Sequence, residues 1–265
     1  MFKQRLITTL ILIPAVLFAI YYAPSWLLAS IVLLLTAAGA WEWSQLIPVK
    51  KLPYKILFTL LVLAATWLCM QWLDYWSITG LILWTLIFFA VLLFPSSQVV
   101  WGYPFIVAGA ALVLLPLFAS SLMALYRLTA GKDLVVYLLA LVWAADIGAY
   151  LAGKSCGRRK LIPLVSPGKT IEGTLGGVLL AMAVAAAGYL YFKPVYSFYW
   201  FILAAGTIFI SILGDLCISI LKRRCKLKDT GNIFPGHGGV LDRLDSLIAA
   251  LPLFYCGVRF FFAGL

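Results

Sequence analysis

The sequence predicts an all-α, polytopic membrane protein of about nine transmembrane helices. Three observations predict it. First, 65% of the 265 residues are hydrophobic and 11% are charged, whereas an ordinary soluble domain carries about 25% charged residues. A water-soluble globule of this composition would have too little polar surface. Second, apolar runs long enough to cross a bilayer, about 20 residues each, recur from one end of the chain to the other. Third, Trp and Tyr crowd the ends of those runs, as in an interfacial aromatic belt.

The first run, residues 6–22, follows Lys3 and Arg5 and ends on Tyr21-Tyr22. Its basic flank imitates a signal peptide, but no small-x-small site precedes Pro24, so it reads as a retained first helix. The second, 25–47, has Trp26 near its start and Trp41 and Trp43 near its end. Glu42, between those two tryptophans, reads as an interfacial anchor. The third and fourth, 56–73 and 77–95, meet at Asp74-Tyr75-Trp76. Trp101 and Tyr103 open the fifth, 103–126. The sixth, 134–152, contains Asp146, and a basic loop, 153–170, separates it from the seventh, 171–192. The eighth, 198–221, begins at Tyr199-Trp200, contains Asp215 and runs into Lys222-Arg223-Arg224. The ninth, 239–262, follows a second charged loop, 222–238, and opens on Asp242 and Asp245.

Charge fixes the orientation. All of the Lys and Arg residues except Arg127, Lys132, Lys193 and Arg259 fall where alternating crossings bring them to one side. That is the positive-inside bias. It puts the N-terminus and both charged loops in the cytoplasm, in a cytoplasmic (inner) membrane. It also accounts for most of the net charge of +11 without a nucleic-acid partner. The five cysteines form no CxxC pair and no His/Cys cluster, which argues against a zinc site.

The acids divide the chain. Residues 1–126 contain only Glu42 and Asp74, and the other seven acids lie in 133–245. The N-terminal part therefore reads as transmembrane scaffold and 127–265 as the catalytic region.

Asp146 and Asp215 lie inside apolar segments. A carboxylate near a helix centre costs about 2.5–3.5 kcal/mol on insertion scales, so such acids usually serve function and face a polar site. Asp215, Ser219 and Lys222 are spaced i, i+4, i+7, on one helix face. Asp242 and Asp245 are i, i+3 at a helix start. Carboxylates this close repel unless a cation lies between them, and hard oxygen ligands favour Mg²⁺. Asp215, Asp242 and Asp245 are the expected core of the metal site, with Asp146 a further candidate ligand; a second cation stays open. Gly238-Gly239 before the last helix would offer free N–H groups to a substrate anion.

In Ser166-Pro-Gly-Lys169-Thr170-Ile-Glu172-Gly173, Thr170 is a natural N-cap, and Lys169 stands beside a helix N-terminus. Gly173 and Gly177 form a small-xxx-small pair, a mark of close helix packing. Gly148-Ala-Tyr-Leu-Ala-Gly153-Lys154-Ser155 matches the P-loop spacing, but its four middle residues continue an apolar helix, so it reads as a chance match.

The stretch from Ser219 to Asp245 resembles the signature of the phosphatidate cytidylyltransferase family. Ser219, Lys222, Arg223, Lys228, Asp229, Pro235, His237, Gly238, Gly239, Asp242, Arg243 and Asp245 fall at its spacing. The Ser166 to Gly173 stretch is similar to a second motif of that family. The resemblance implies a divalent-metal-dependent homodimer that converts CTP and phosphatidate into CDP-diacylglycerol and pyrophosphate. On it, Asp215, Lys222, His237, Asp242, Arg243 and Asp245 are catalytic candidates. Lys169, Thr170, Ser219, Lys222, Arg223, Lys228, Gly238 and Gly239 are substrate-binding candidates. Two rivals share the features: another CTP-using lipid enzyme, such as a polyprenol kinase, and a transporter with intramembrane ion sites.

Overall fold

The computed structural model describes residues 2–47, 49, 51–233 and 238–262, with side chains from Leu10 onward. It contains ten helices and one hairpin among the described residues. They are α1 (Phe2–Tyr22), α2 (Ser25–Trp43), α3 (Leu52–Gln71), α4 (Leu73–Leu92), the short α5 (Gln98–Gly102), α6 (Pro104–Tyr126) and α7 (Gly131–Cys156). A two-stranded hairpin, β1 (Lys160–Ile162) and β2 (Ser166–Thr170), follows, then α8 (Ile171–Phe192), α9 (Ser197–Arg224) and α10 (Leu241–Phe261).

The nine expected apolar runs all become helices. Eight of them, α2 to α4 and α6 to α10, are long and apolar enough to cross a membrane by their described residues, and α1 adds a shorter apolar stretch, Leu10–Tyr22. The protein is a multi-pass membrane protein. The P-loop match lies wholly inside α7 and makes no phosphate-binding turn.

Enclosure separates central helices from lipid-facing ones. In α10, 67% of the apolar window is buried, against 22% in α3 and in α8. Polar hooks on buried aromatic residues join the helices. Trp43 Nε1 donates to the Val107 carbonyl at 3.0 Å, tying α2 to α6. Trp200 Nε1 donates to the Ala185 carbonyl at 2.9 Å, tying α9 to α8.

The α7–α8 contact rests on missing side chains. A Cβ on Gly177 would come within 2.5 Å of the Ala145 carbonyl oxygen, and one on Gly173 within 2.8 Å of that of Ala149. The small-xxx-small expectation is met by α7, which packs directly against this face.

The helix ends sort into two layers. Contacts join the C-terminal ends of α2 and α9, the α5 segment, the hairpin and the start of α10 at one end of the bundle. Cys225 Sγ lies 3.5 Å from the Leu46 carbonyl, Arg224 donates to the Trp101 carbonyl, and Arg223 Nε donates to the Val165 carbonyl at 3.1 Å. At the other end, Tyr21 and Tyr191 both donate to Asp133, and Arg259 pairs with Asp74.

Candidate active site

Gly214 sets the distance between the two helices that matter most. A Cβ there would lie 2.5 Å from the Asp245 carbonyl oxygen and 2.8 Å from the Ala249 Cβ. Without it, α9 and α10 approach closely, and the adjacent Asp215 comes beside Asp245. The Asp215 carboxylate accepts from Ser219 Oγ at 3.1 Å, one turn along the same face, as the i, i+4 spacing predicts. Its other oxygen is ion-paired with Lys169, which β2 delivers from the hairpin. Asp215 also acts electrostatically on both Asp146 and Asp245. Asp146 of α7 and Asp245 of α10 thus both lie within electrostatic range of Asp215 on α9. Lys169 acts on Asp146 and Asp245, Arg243 on Asp146, and Lys222 on Asp245.

The hairpin that carries Lys169 is held from both sides. Thr170 caps α8, accepting from the Gly173 amide at 3.1 Å. Glu172 in the first turn accepts from the amides of Arg158 and Arg159 at 3.0 and 3.1 Å. Val165, fully buried, plugs the hairpin into the bundle. Its carbonyl accepts from Arg223, which also donates to the Leu227 carbonyl at 3.2 Å. Arg223, expected at substrate, therefore spends its guanidinium on backbone carbonyls here. Lys228 is exposed. His237, with Phe234, Pro235 and Gly236, lies outside the described residues.

Asp242 is engaged differently from the other acids. Its Oδ1 accepts from Lys222 Nζ at 2.8 Å. Its Oδ2 accepts from the amides of Thr230 and Gly239, at 2.8 and 2.9 Å. It closes a loop instead of joining Asp215. Gly238 has φ of +84°, a left-handed conformation, and a Cβ there would lie 2.7 Å from Asp242 Oδ2. That is a specific need for glycine.

Glu42 departs furthest from expectation. It is 2% exposed and no interfacial anchor. Its carboxylate accepts from the amides of Val240 and Leu241 at 3.0 and 2.8 Å, and from Thr230 Oγ1 at 2.9 Å. At the start of α10, the amides of Gly239, Val240 and Leu241 are thus taken by the protein's own carboxylates, Asp242 and Glu42. The donors are separated from Glu42 by 188, 198 and 199 positions. No local pattern could have revealed it; the one signal was an acid inside an apolar run.

Among the described residues, no three His, Cys, Asp or Glu side chains are gathered closely enough to hold a metal ion as they stand. The donor chemistry nevertheless fits a hard cation. Asp146, Asp215 and Asp245 offer carboxylate oxygens with a Ser219 hydroxyl alongside, and such ions keep waters in the remaining positions. The ammonium of Lys169 already shows Asp215 receiving a positive charge.

Comparison with known proteins adds sequence-wide information. The model of the cytidylyltransferase family matches residues 3–261. A phosphatidate cytidylyltransferase of Pseudomonas aeruginosa is 37% identical, over 96% of both chains. One from Haemophilus influenzae is 35% identical, over 96% of this chain and 97% of its own. One from Bacillus subtilis is 43% identical over 47% of each chain.

Proposed function

The chain belongs to the cytidylyltransferase family, and from that membership we propose how its residues carry the reaction. The protein transfers the cytidylyl group of CTP to phosphatidate, giving CDP-diacylglycerol and pyrophosphate. A phosphatidate phosphate oxygen attacks the α-phosphorus of CTP. The new P–O bond forms as the bond to the β-phosphate oxygen breaks, and pyrophosphate leaves.

A phosphate monoester has a second pKa of about 6, so the nucleophile is already largely ionised at neutral pH. A strong general base is dispensable. The task is to bring two polyanions together and to stabilise the departing charge. Lys169, Arg243 and Lys222 supply fixed cations around the acids. Lys169 leaves Asp215 for a nucleotide phosphate when CTP arrives. Ser219 holds Asp215 in place, and Thr170 fixes the hairpin from which Lys169 reaches in. His237 is assigned to positioning a phosphate group.

We assign Mg²⁺ to Asp215 and Asp245, with Asp146 as a third oxygen donor and Asp242 committed to the loop. Bound there, the ion would neutralise phosphate charge and orient the triphosphate. The active site faces the cytoplasm, where CTP is, and opens beside the leaflet that holds phosphatidate. The family resemblance extends this reading to a homodimer.

One observation carries the proposal: Lys169 is ion-paired with Asp215, and Asp146 of α7 and Asp245 of α10 lie within electrostatic range of that pair. The test is purified protein with CTP labelled in the cytosine ring, phosphatidate and Mg²⁺, with EDTA as control. Pyrophosphate release with label on the lipid is expected, and its loss in EDTA. Phosphorylated lipid without cytidine would overturn the transfer in favour of a kinase, and full activity in EDTA would overturn the metal assignment.

A further inference from the structure

The loop that joins α9 to α10 is held at two places by one buried acid from the opposite half of the chain. Thr230 lies within the loop, and Val240 and Leu241 stand at its junction with α10. Glu42 accepts a hydrogen bond from each of the three, at 2.9, 3.0 and 2.8 Å. Gln45, one turn further along, donates from its amide to the Thr230 carbonyl at 3.1 Å. The fit leaves no spare room: a Cβ on Gly231 or on Gly239 would overlap the Glu42 carboxylate. The neighbouring amides of Thr230 and Gly239 go to Asp242. Two carboxylates, one from α2 and one from α10, therefore share the donors at the mouth of α10.

We propose that Glu42 is a positioning residue for the cytidylyl transfer: an internal anion, supplied by α2, that sets the register of the α9–α10 loop and of the first turn of α10 against the catalytic acids. The inference rests on the reaction proposed above. Three arguments support it. A carboxylate at a helix N-terminus interacts favourably with the free N–H groups and the positive end of the dipole. A buried acid is costly unless its oxygens are saturated, and here donors from the distant loop saturate them. Asp245 lies one turn beyond Leu241, so any shift in the first turn of α10 moves a carboxylate that lies within electrostatic range of Asp215. The scaffold half of the chain thereby contributes to the site through one side chain.

The test compares wild type with Glu42→Gln and Glu42→Ala in detergent micelles, using hydrogen exchange and steady-state kinetics with CTP and phosphatidate. Gln preserves shape, but its amide nitrogen cannot accept, so an acceptor is lost. Amide exchange is expected to accelerate in peptides covering 230–245 and to stay at the wild-type rate in α2, α6 and α7. The kinetic loss is expected in kcat, by about 100-fold, the size that a displacement of about 1 Å produces. Wild-type kcat in Glu42→Gln would overturn the proposal. So would faster exchange spread evenly over all helices, which is the mark of a merely structural residue. If Glu42→Ala fails to fold, the near-isosteric Gln variant decides. If wild type itself makes no CDP-diacylglycerol, the proposed reaction falls, while the exchange pattern still judges whether Glu42 holds the loop.

Discussion

Asp215 meets a hydroxyl, an ammonium and the fields of two other carboxylates within a short stretch of α9. Removing its charge leaves Lys169 without its partner and takes away an oxygen donor of the metal assignment. Asp215→Asn is expected to lower CDP-diacylglycerol formation by at least about 100-fold, with an elution profile in detergent like that of wild type. Wild-type turnover in this variant would remove Asp215 from the mechanism. Lys222 and Asp242 present a different case, with side chains 11% and 3% exposed. Breaking a buried pair on one side leaves an uncompensated charge, at about 3–5 kcal/mol. Lys222→Met is therefore expected to lower thermal stability sharply, and Lys222→Met with Asp242→Asn to recover part of it. Melting of the two variants side by side checks this. Intramembrane acids such as Asp215 were legible in the sequence because the bilayer makes them costly. The split between the acids was not. Asp242 and Asp245 have the same spacing logic, and only the fold reveals that Asp242 is taken up by Lys222 and two loop amides while Asp245 accepts from the Ser246 amide.

Helices announce themselves by length and hydropathy, and here every apolar run became one. The hairpin did not, because Lys160–Ile162 and Ser166–Thr170 show no alternation of apolar and polar residues. Their structure comes from Val165 in the bundle and from Glu172 and Arg223 on backbone groups. The α9–α10 contact offers the sharpest test at this scale. Gly214→Val would force a side chain against the Asp245 carbonyl oxygen, 2.5 Å from the first added carbon. Overpacking of this kind costs about 1–3 kcal/mol, and it would also separate Asp215 from Asp245. Thermal inactivation in detergent is expected at lower temperature, with turnover lost even below the melting range. Gly206→Ala on the same helix is the control. Its Cβ would meet only the Leu253 side chain at 3.5 Å, an ordinary contact, so stability should hold or rise by up to about 1 kcal/mol. Equal effects of the two substitutions would show that glycine at 214 serves flexibility and not close approach.

At the scale of the whole molecule, the site and most of the positive charge share one end. Of the Lys and Arg residues, Arg127, Lys132, Lys193 and Arg259 belong to the other. The far end is closed by pairings that need no substrate, Asp133 with Tyr21 and Tyr191, and Asp74 with Arg259. On the orientation proposed above, the positive-inside bias would put the site end in the cytoplasm. Native thiols make this measurable. Cys156 is exposed at the end of α7, whereas Cys69 and Cys217 are buried. Cys225 is half-buried against the Leu46 carbonyl, and burial pushes its thiol pKa up, so it reacts slowly. A membrane-impermeant maleimide is expected to label Cys156 in inverted vesicles and to leave it unlabelled in intact spheroplasts. In a Cys156→Ser background, Val195→Cys should behave in the opposite way, because Val195 is 88% exposed between α8 and α9 at the far end. Ile233→Cys, in the α9–α10 loop and 57% exposed, should follow Cys156. Labelling of Cys156 from outside would invert the orientation. Labelling of Cys156 and Ile233→Cys from opposite sides would break the single-faced site itself, since the hairpin that carries Lys169 and the loop that closes on Asp242 would no longer share one aqueous phase.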